Sequence, residues 1–398
     1  MQRRHFVTLL GSASGAALLT RHAPGWAQAV REAQRTVAST ADRILILIEL
    51  KGGNDGLNTV IPYADPAYAQ FRSTLAIPRD SVLALDARTG LHPELKSLMP
   101  LWEKRELAIV QGVGYPQPNL SHFRSIEIWA TSSRSDEYLD TGWVGRAMKA
   151  GVGDKAAYTA EGVLIGGAEF GVLAGARAVS LNNPESFLQN ARFAAPREMQ
   201  GNAALQHLLR VEGDVWSAAA GLRADKFDFK TEFPAGAFGN SVRAAAQVVA
   251  SQRGRAGVPV ITLSLGSFDT HQNQLNPHAN LLRQLAEGIA ALRGALTELD
   301  AWDRTLVMTF SEFGRRARQN QSQGTDHGTE APHIVAGGAV RGGLYGQPPD
   351  FSRLDGAQNL LYTTDFRQLY ATIAKDWWGI APDKVVRGRF DPLSFIAT

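Results

Sequence analysis

Cysteine is absent from all 398 residues. That excludes disulfides, cysteine-ligated zinc, iron–sulfur clusters and thiol catalysis together. Acidic residues are absent from the first 29 positions, which carry Arg3, Arg4 and Arg21. The 41 basic residues less those three leave 38, equal to the 38 acidic ones. The rest of the chain is formally neutral, so its charge gives no warrant for nucleic acid or an anionic membrane as partner. No apolar run approaches the roughly 20 residues that span a bilayer, and no membrane span is expected. There is no phosphate loop, no H-E-x-x-H helix and no G-x-S-x-G elbow. Gln117 stands where a third glycine would complete a dinucleotide fingerprint after Gly112 and Gly114.

What is present begins with an address. Arg3-Arg4 precede Phe6, a weakly apolar run extends from Leu9 to Leu19, and Ala27-Gln28-Ala29 forms an A-x-A site. These are the three regions of a secretory signal, and the paired arginines point to the twin-arginine route. The expectation is a signal peptide over 1–29 and a single domain over 30–398, periplasmic or secreted.

Arg43 to Leu50, Glu106 to Gly112, Val258 to Leu265 and Thr305 to Phe310 are short continuous apolar runs. That is the pattern of strands buried on both faces of a parallel sheet. His333 to Ala336 reads as a short fifth strand. Helices are expected at 93–104, 121–131, 238–251, 274–300 and 364–377, the second opened by Ser121 as its N-cap. Residues 132–235 are less regular, with strand-like runs at 163–165 and 172–173 and a helical patch near 202–222. They read as a cap or inserted segment. Strands alternating with helices predict an α/β fold with a mainly parallel sheet between helices.

In such sheets, ligands gather beyond the carboxyl ends of the strands. Polar clusters stand at those places. Asn54 and Asp55 follow the first strand. Asn119, Ser121 and His122 follow the second. Ser267, Asp269 and His271 follow the third. Glu312, Arg315 and Arg316 follow the fourth, with Asp326, His327 and His333 beyond. Oxygen and imidazole ligands of this kind suit Zn²⁺, Mn²⁺, Mg²⁺ or Ca²⁺. Plain readings stand beside these: Asp55 as a turn residue, Ser121 as a helix cap, Glu312 and Arg315 as solvated charges. His92, His207 and His278 read as surface or helix residues.

The run from Lys51 to Tyr63, the segment Asn119-Leu120-Ser121-His122-Phe123 with Trp129, and the segment Ser311-Glu312-Phe313-Gly314-Arg315 occur together with Asp326-His327-Gly328, Pro332-His333 and Gly337-Gly338. This combination resembles the exported bacterial family of unknown function DUF1501, over nearly the whole mature chain. That family in turn is similar to the alkaline phosphatase and sulfatase superfamily. The resemblance implies an alkaline-phosphatase-like core and one or two divalent metals. One metal would be held by Asp269, His271 and His327, the other by Asp55, Ser121 and Glu312. The departures are also specific. Phe313 follows Glu312 where the superfamily has His. Ser121 is followed by His122-Phe123-Arg124 and not by x-Pro-x-Arg, which argues against a formylglycine sulfatase.

The activity implied is metal-dependent hydrolysis of a phosphate or sulfate ester, on a small molecule or a polymer. Ser121 would be the nucleophile, Arg315 would stabilise charge on the transferred group, and His122 would move a proton. The competing expectation is a non-catalytic periplasmic binding or structural protein on the same fold. A hydrolase with one metal lies between them.

Overall fold

The computed structural model describes residues 42–152, 158–167, 169–181, 227–252 and 257–397, with single positions at 205, 209 and 213. The expected signal peptide, His207 and nearly all of the patch at 202–222 lie outside the described residues. The strands of the central sheet are β1 (Ile44–Leu50), β2 (Leu107–Gly114), β3 (Gly162–Ile165), β4 (Ala178–Leu181), β5 (Val260–Leu265), β6 (Thr305–Phe310), β7 (Ala331–Ala336), β8 (Gly343–Tyr345) and β9 (Thr364–Asp365). Their order is β8-β2-β7-β6-β1-β5-β3-β4, with β9 also on β2. β1 runs parallel to both neighbours, Leu47 lying opposite Thr262 on one side and Met308 on the other. β7 is antiparallel to β2 and β6. The sheet is mainly parallel, and all four long strands read from the sequence are in it.

The helices are α1 (Pro66–Phe71), α2 (Met99–Glu103), α3 (His122–Thr131), α4 (Trp143–Ala150), α5 (Ala237–Ala250), α6 (Leu275–Glu298) and α7 (Phe366–Thr372). They cover both faces of the sheet. Ile44, Ile46, Ile48 and Leu50 point to a core shared with Phe238 of α5 and Leu282, Leu285 and Ile289 of α6. Leu45 and Leu47 point to the opposite core, with Trp129 of α3, Trp143 of α4 and Tyr370 of α7. Burial of both faces is why β1 reads as an unbroken apolar run and not as an alternating one. Rings close the second layer: Trp129 stacks on Phe366 at 4.4 Å and Trp143 on Tyr370 at 4.3 Å.

Three local readings change. The run at 172–173 is a 3₁₀ turn, Gly171–Leu173, and not a strand. The helix expected at 93–104 opens as a 3₁₀ segment, Pro93–Leu98, before α2. Within the stretch read as a cap, β3 and β4 extend the main sheet at its edge, because their apolar residues complete it beside β5.

Candidate metal centre

The loop after β1 sets the geometry. Gly52 and Gly53 hold φ of +114° and +78°, in the left-handed region. A Cβ on Gly52 would lie 2.4 Å from the Asp269 backbone nitrogen, and one on Gly53 would lie 2.5 Å from the Phe313 ring. Only glycine permits both the turn and this approach. The Gly52 N–H donates to Glu312 Oε1 at 2.7 Å. Arg315 donates to the Gly53 carbonyl at 2.7 Å, the Thr325 carbonyl at 2.8 Å and the Gly52 carbonyl. The loops after β1, β5 and β6 are thus tied into one body. The two-residue antiparallel ladder of Gly314–Arg315 with His327–Gly328 adds the last segment.

Three imidazoles and a carboxylate converge there. Asp269 Oδ1 is 3.0 Å from His271 Nε2 and 3.1 Å from His327 Nε2, and the two nitrogens are 3.1 Å apart. His122 Nε2 lies 3.5 Å from Asp269 Oδ2. One ligand atom each from His122, Asp269 and His327 fall within 4.8 Å of one another. The far sides of two rings are anchored by hydrogen bonds, and that of the third faces a carboxylate. His122 Nδ1 is 3.0 Å from Glu312 Oε1, His327 Nδ1 is 2.9 Å from the Leu120 carbonyl, and His271 Nδ1 faces Asp326 Oδ1 at 3.6 Å.

A carbonyl can only accept, so the His327 proton belongs on Nδ1 and its Nε2 presents a lone pair to Asp269 and His271. Burial lowers the His327 pKa and favours this neutral ring. A lone pair and a carboxylate 3.1 Å apart repel unless a cation sits between them. The triangle of Asp269 Oδ1, His271 Nε2 and His327 Nε2 also has the size of a tetrahedral face, whose edge is about 3.3 Å for bonds of about 2.0 Å to zinc. Imidazoles that ligate a metal anchor their other nitrogen on a carboxylate or carbonyl, as His122 and His327 do. The residues present therefore fit a zinc-class ion.

Asp269 remains ionised here. Burial pushes its pKa up, but the hydrogen bond and the positive charge of Arg315 outweigh that and bring it down to about 2. Phe313 packs its ring 4.3 Å from His327 and 4.9 Å from His122. It is a wedge behind the ligands.

His122, Asp269, His271 and His327 come together, and His122 sits among the ligating atoms. The structure places the four other expected site residues as follows. Asp55 is fully buried and engaged: Arg72 holds its two oxygens at 2.6 and 2.8 Å, and Gln274 donates to it as well. Burial would raise its pKa, and Arg72 pulls it below the usual range instead. It has no oxygen to offer a metal, so the second ligand set is not assembled. Glu312 reaches His122 Nδ1, and its contact is with that imidazole and the Gly52 N–H. Arg315 is fully buried and donates to Asp269 at 2.6 Å and to backbone carbonyls, so it cannot reach a substrate. Ser121 is exposed at the N-cap position of α3, but its side chain makes no capping bond.

Other residues escaped the sequence reading. His278 stands on α6, as the helix reading had it, but both it and His92 are buried, and His278 bonds Asn54 at 2.9 Å. Gln274 accepts from Thr270 and Thr325, so the buried Asp55 carboxylate steadies the loops that carry the ligands. Nothing local marked these partners, since Arg72 is 17 residues and Gln274 is 219 residues from Asp55. The His333 ring packs against Trp129 at 5.1 Å inside the core and takes no part in the centre.

Fold and site together define a mainly parallel α/β protein with a histidine–aspartate centre at the carboxyl ends of its strands. The chain belongs to the family described as protein of unknown function (DUF1501), whose sequence model matches residues 178–389, over half its length. The match spans Asp269, His271, Glu312 and His327, and His122 lies before it. No curated protein matches the sequence. Similar solved structures include the PsFucS1 sulfatase from Pseudoalteromonas sp., at 12% identity and TM-score 0.41 over 94% of this chain and 75% of that one. The C-terminal periplasmic domain of EcEptC from Escherichia coli, in complex with Zn, has 13% identity and TM-score 0.40 over 89% of each. The lipoteichoic acid synthase LtaP from Listeria monocytogenes has 10% identity and TM-score 0.36 over 87% and 74%. Likenesses at TM-scores below one half carry no argument about this chain's chemistry.

Proposed function

We propose that the chain is an exported, single-metal hydrolase of phosphate or sulfate esters. One observation carries the reading: three imidazole Nε2 atoms turned toward Asp269, with the His122 and His327 rings anchored on their other sides by Glu312 and Leu120 and the His271 ring facing Asp326. His122, Asp269, His271 and His327 would hold the ion, and nitrogen-rich ligation favours zinc or manganese over magnesium or calcium. Bound there, it would supply a Lewis acid to the ester oxygens. Glu312 holds the His122 ring, Arg315 holds Asp269, and Phe313 packs against the His122 and His327 rings. Ser121 precedes His122, is exposed and leaves its hydroxyl uncommitted to the helix; it is the nucleophile of this reading. Full engagement of Asp55 favours one metal over two. It also gives weight to the second reading, a non-catalytic periplasmic protein that keeps the ion without turnover.

The test is elemental analysis of the folded protein beside the His271→Ala, His327→Ala double variant, followed by phosphate and sulfate ester screens. We expect near one equivalent of metal, lost in the variant, and turnover abolished by Ser121→Ala. Metal without turnover would leave the second reading, and no metal after supplementation would remove both. Export rests on Arg3-Arg4; Lys at both positions should hold the precursor in the cytoplasm, as followed by fractionation. Among the described residues, no helix is long and apolar enough to cross a membrane.

A further inference from the structure

A cleft of about 470 Å³ opens at the carboxyl ends of β3 and β5, against the first turns of α5 and α6. Its size falls in the range of about 300–1,000 Å³ usual for small-molecule sites. Every described residue lining it is uncharged. Phe238 and Leu281 give it an apolar floor, and Ser241, Ser267, Asn280 and Gln284 supply hydroxyls and amides. Ser241 donates to the Ala237 carbonyl at 3.1 Å and Gln284 to the Asn280 carbonyl at 3.4 Å, which leaves their oxygens to accept; hydroxyls and amides both donate and accept, which suits a ligand edged with hydroxyls. A free anion would want a cation, and the lining has none; Arg283 donates to Asn280 Oδ1 from outside it. Ser267 is held at φ +77°, a conformation that few side chains adopt, on the loop that two residues later presents Asp269. The cleft and the imidazole cluster therefore share one loop at one end of the sheet.

From this lining we infer that the cleft is a saccharide subsite, holding a neutral sugar ring with its C–H face on the apolar floor and its hydroxyls on the serines and amides. The inference deepens the hydrolase reading and rests on it only in making that sugar the alcohol part of the ester. Binding itself does not depend on turnover.

Two substitutions probe the cleft without strain on the fold. A Cβ on Gly266 meets no atom within 4 Å, so Gly266→Phe can project into the opening. Gln284→Leu keeps the side chain's bulk and removes its amide. Neutral mono- to tetrasaccharides would be screened by saturation-transfer NMR on the full mature chain, and hits titrated by calorimetry. We expect binding near millimolar Kd, about −4 kcal/mol, weakened about tenfold in both variants at unchanged melting temperature. No bound saccharide, equal binding in both variants, or displacement of the sugar by inorganic sulfate would overturn the subsite. Saccharide binding that persists in the His271→Ala, His327→Ala protein, with no ester turnover in the wild type, would remove the hydrolase reading and leave the subsite standing.

Discussion

Two carboxylates past the ends of neighbouring strands meet opposite fates. Asp55 is fully buried, and Arg72 and Gln274 satisfy both its oxygens. Asp269 is half-exposed; Arg315 balances part of its charge, while the Nε2 atoms of His271 and His327 face the same oxygen at 3.0 and 3.1 Å. The first site is closed: its charges cancel and its hydrogen bonds are complete. The second is open: the His327 lone pair aimed at a carboxylate calls for a cation. Residue type does not separate the two. The identity and direction of the facing groups do.

The strongest way to break the comparison is at Asp55. Asp55→Ala should leave the Arg72 guanidinium buried and unpaired, costing about 3–5 kcal/mol, read as a lowered denaturant midpoint. If Asp55→Ala unfolds normally but loses metal, Asp55 belongs to the centre after all. Next comes Glu312→Gln, which keeps the shape but drops the charge behind His122. Metal affinity should fall about 10–100-fold, measured by chelator competition, with the melting temperature of the metal-free protein little changed.

A smaller effect should appear with acid. Burial lowers the pKa of His92 and His278 to about 4 and of His333 to about 3, from an ordinary 6.5. Each binds its proton more readily in the unfolded chain, so stability is full above about pH 6.5 and falls as pH drops toward those values. Thermal melts of metal-free protein from pH 7 to pH 4 would show it, and His333→Phe should flatten the slope. The smallest effect is on the stability of Ser121→Ala. Its hydroxyl caps nothing, so the change should stay within about 0.5 kcal/mol, against the typical ~1 kcal/mol of a working cap. A larger loss would mean that Ser121 is structural.

Much of the fold was legible. The runs that became β1, β2, β5 and β6 are apolar on both faces because helices cover both, and such strands carry their burial in their composition. The placement of Asp269, His271 and His327 past buried strands was legible for the same reason: a parallel sheet delivers its carboxyl ends to one side. The fate of Asp55 was not. GGNDG reads the same whether its Asp faces a metal or an arginine, and α1, which ends beside Arg72, has no pattern that names its partner. The burial of His92 and His278 was not legible, because a helix or turn histidine carries no local mark of it. The surroundings of His278 come from Phe268 past β5, the Asn54 loop and His92, 6.3 Å away.

By itself, the sequence determined the element types, the parallel core and the side of the sheet on which polar residues would collect, since these follow from periodicity and turn chemistry over short stretches. Tertiary structure alone decided which of those residues share a centre. Contacts between loops hundreds of residues apart depend on how Gly52 and Gly53 let three loops close on one another, and on whether an arginine reaches a carboxylate before a metal can.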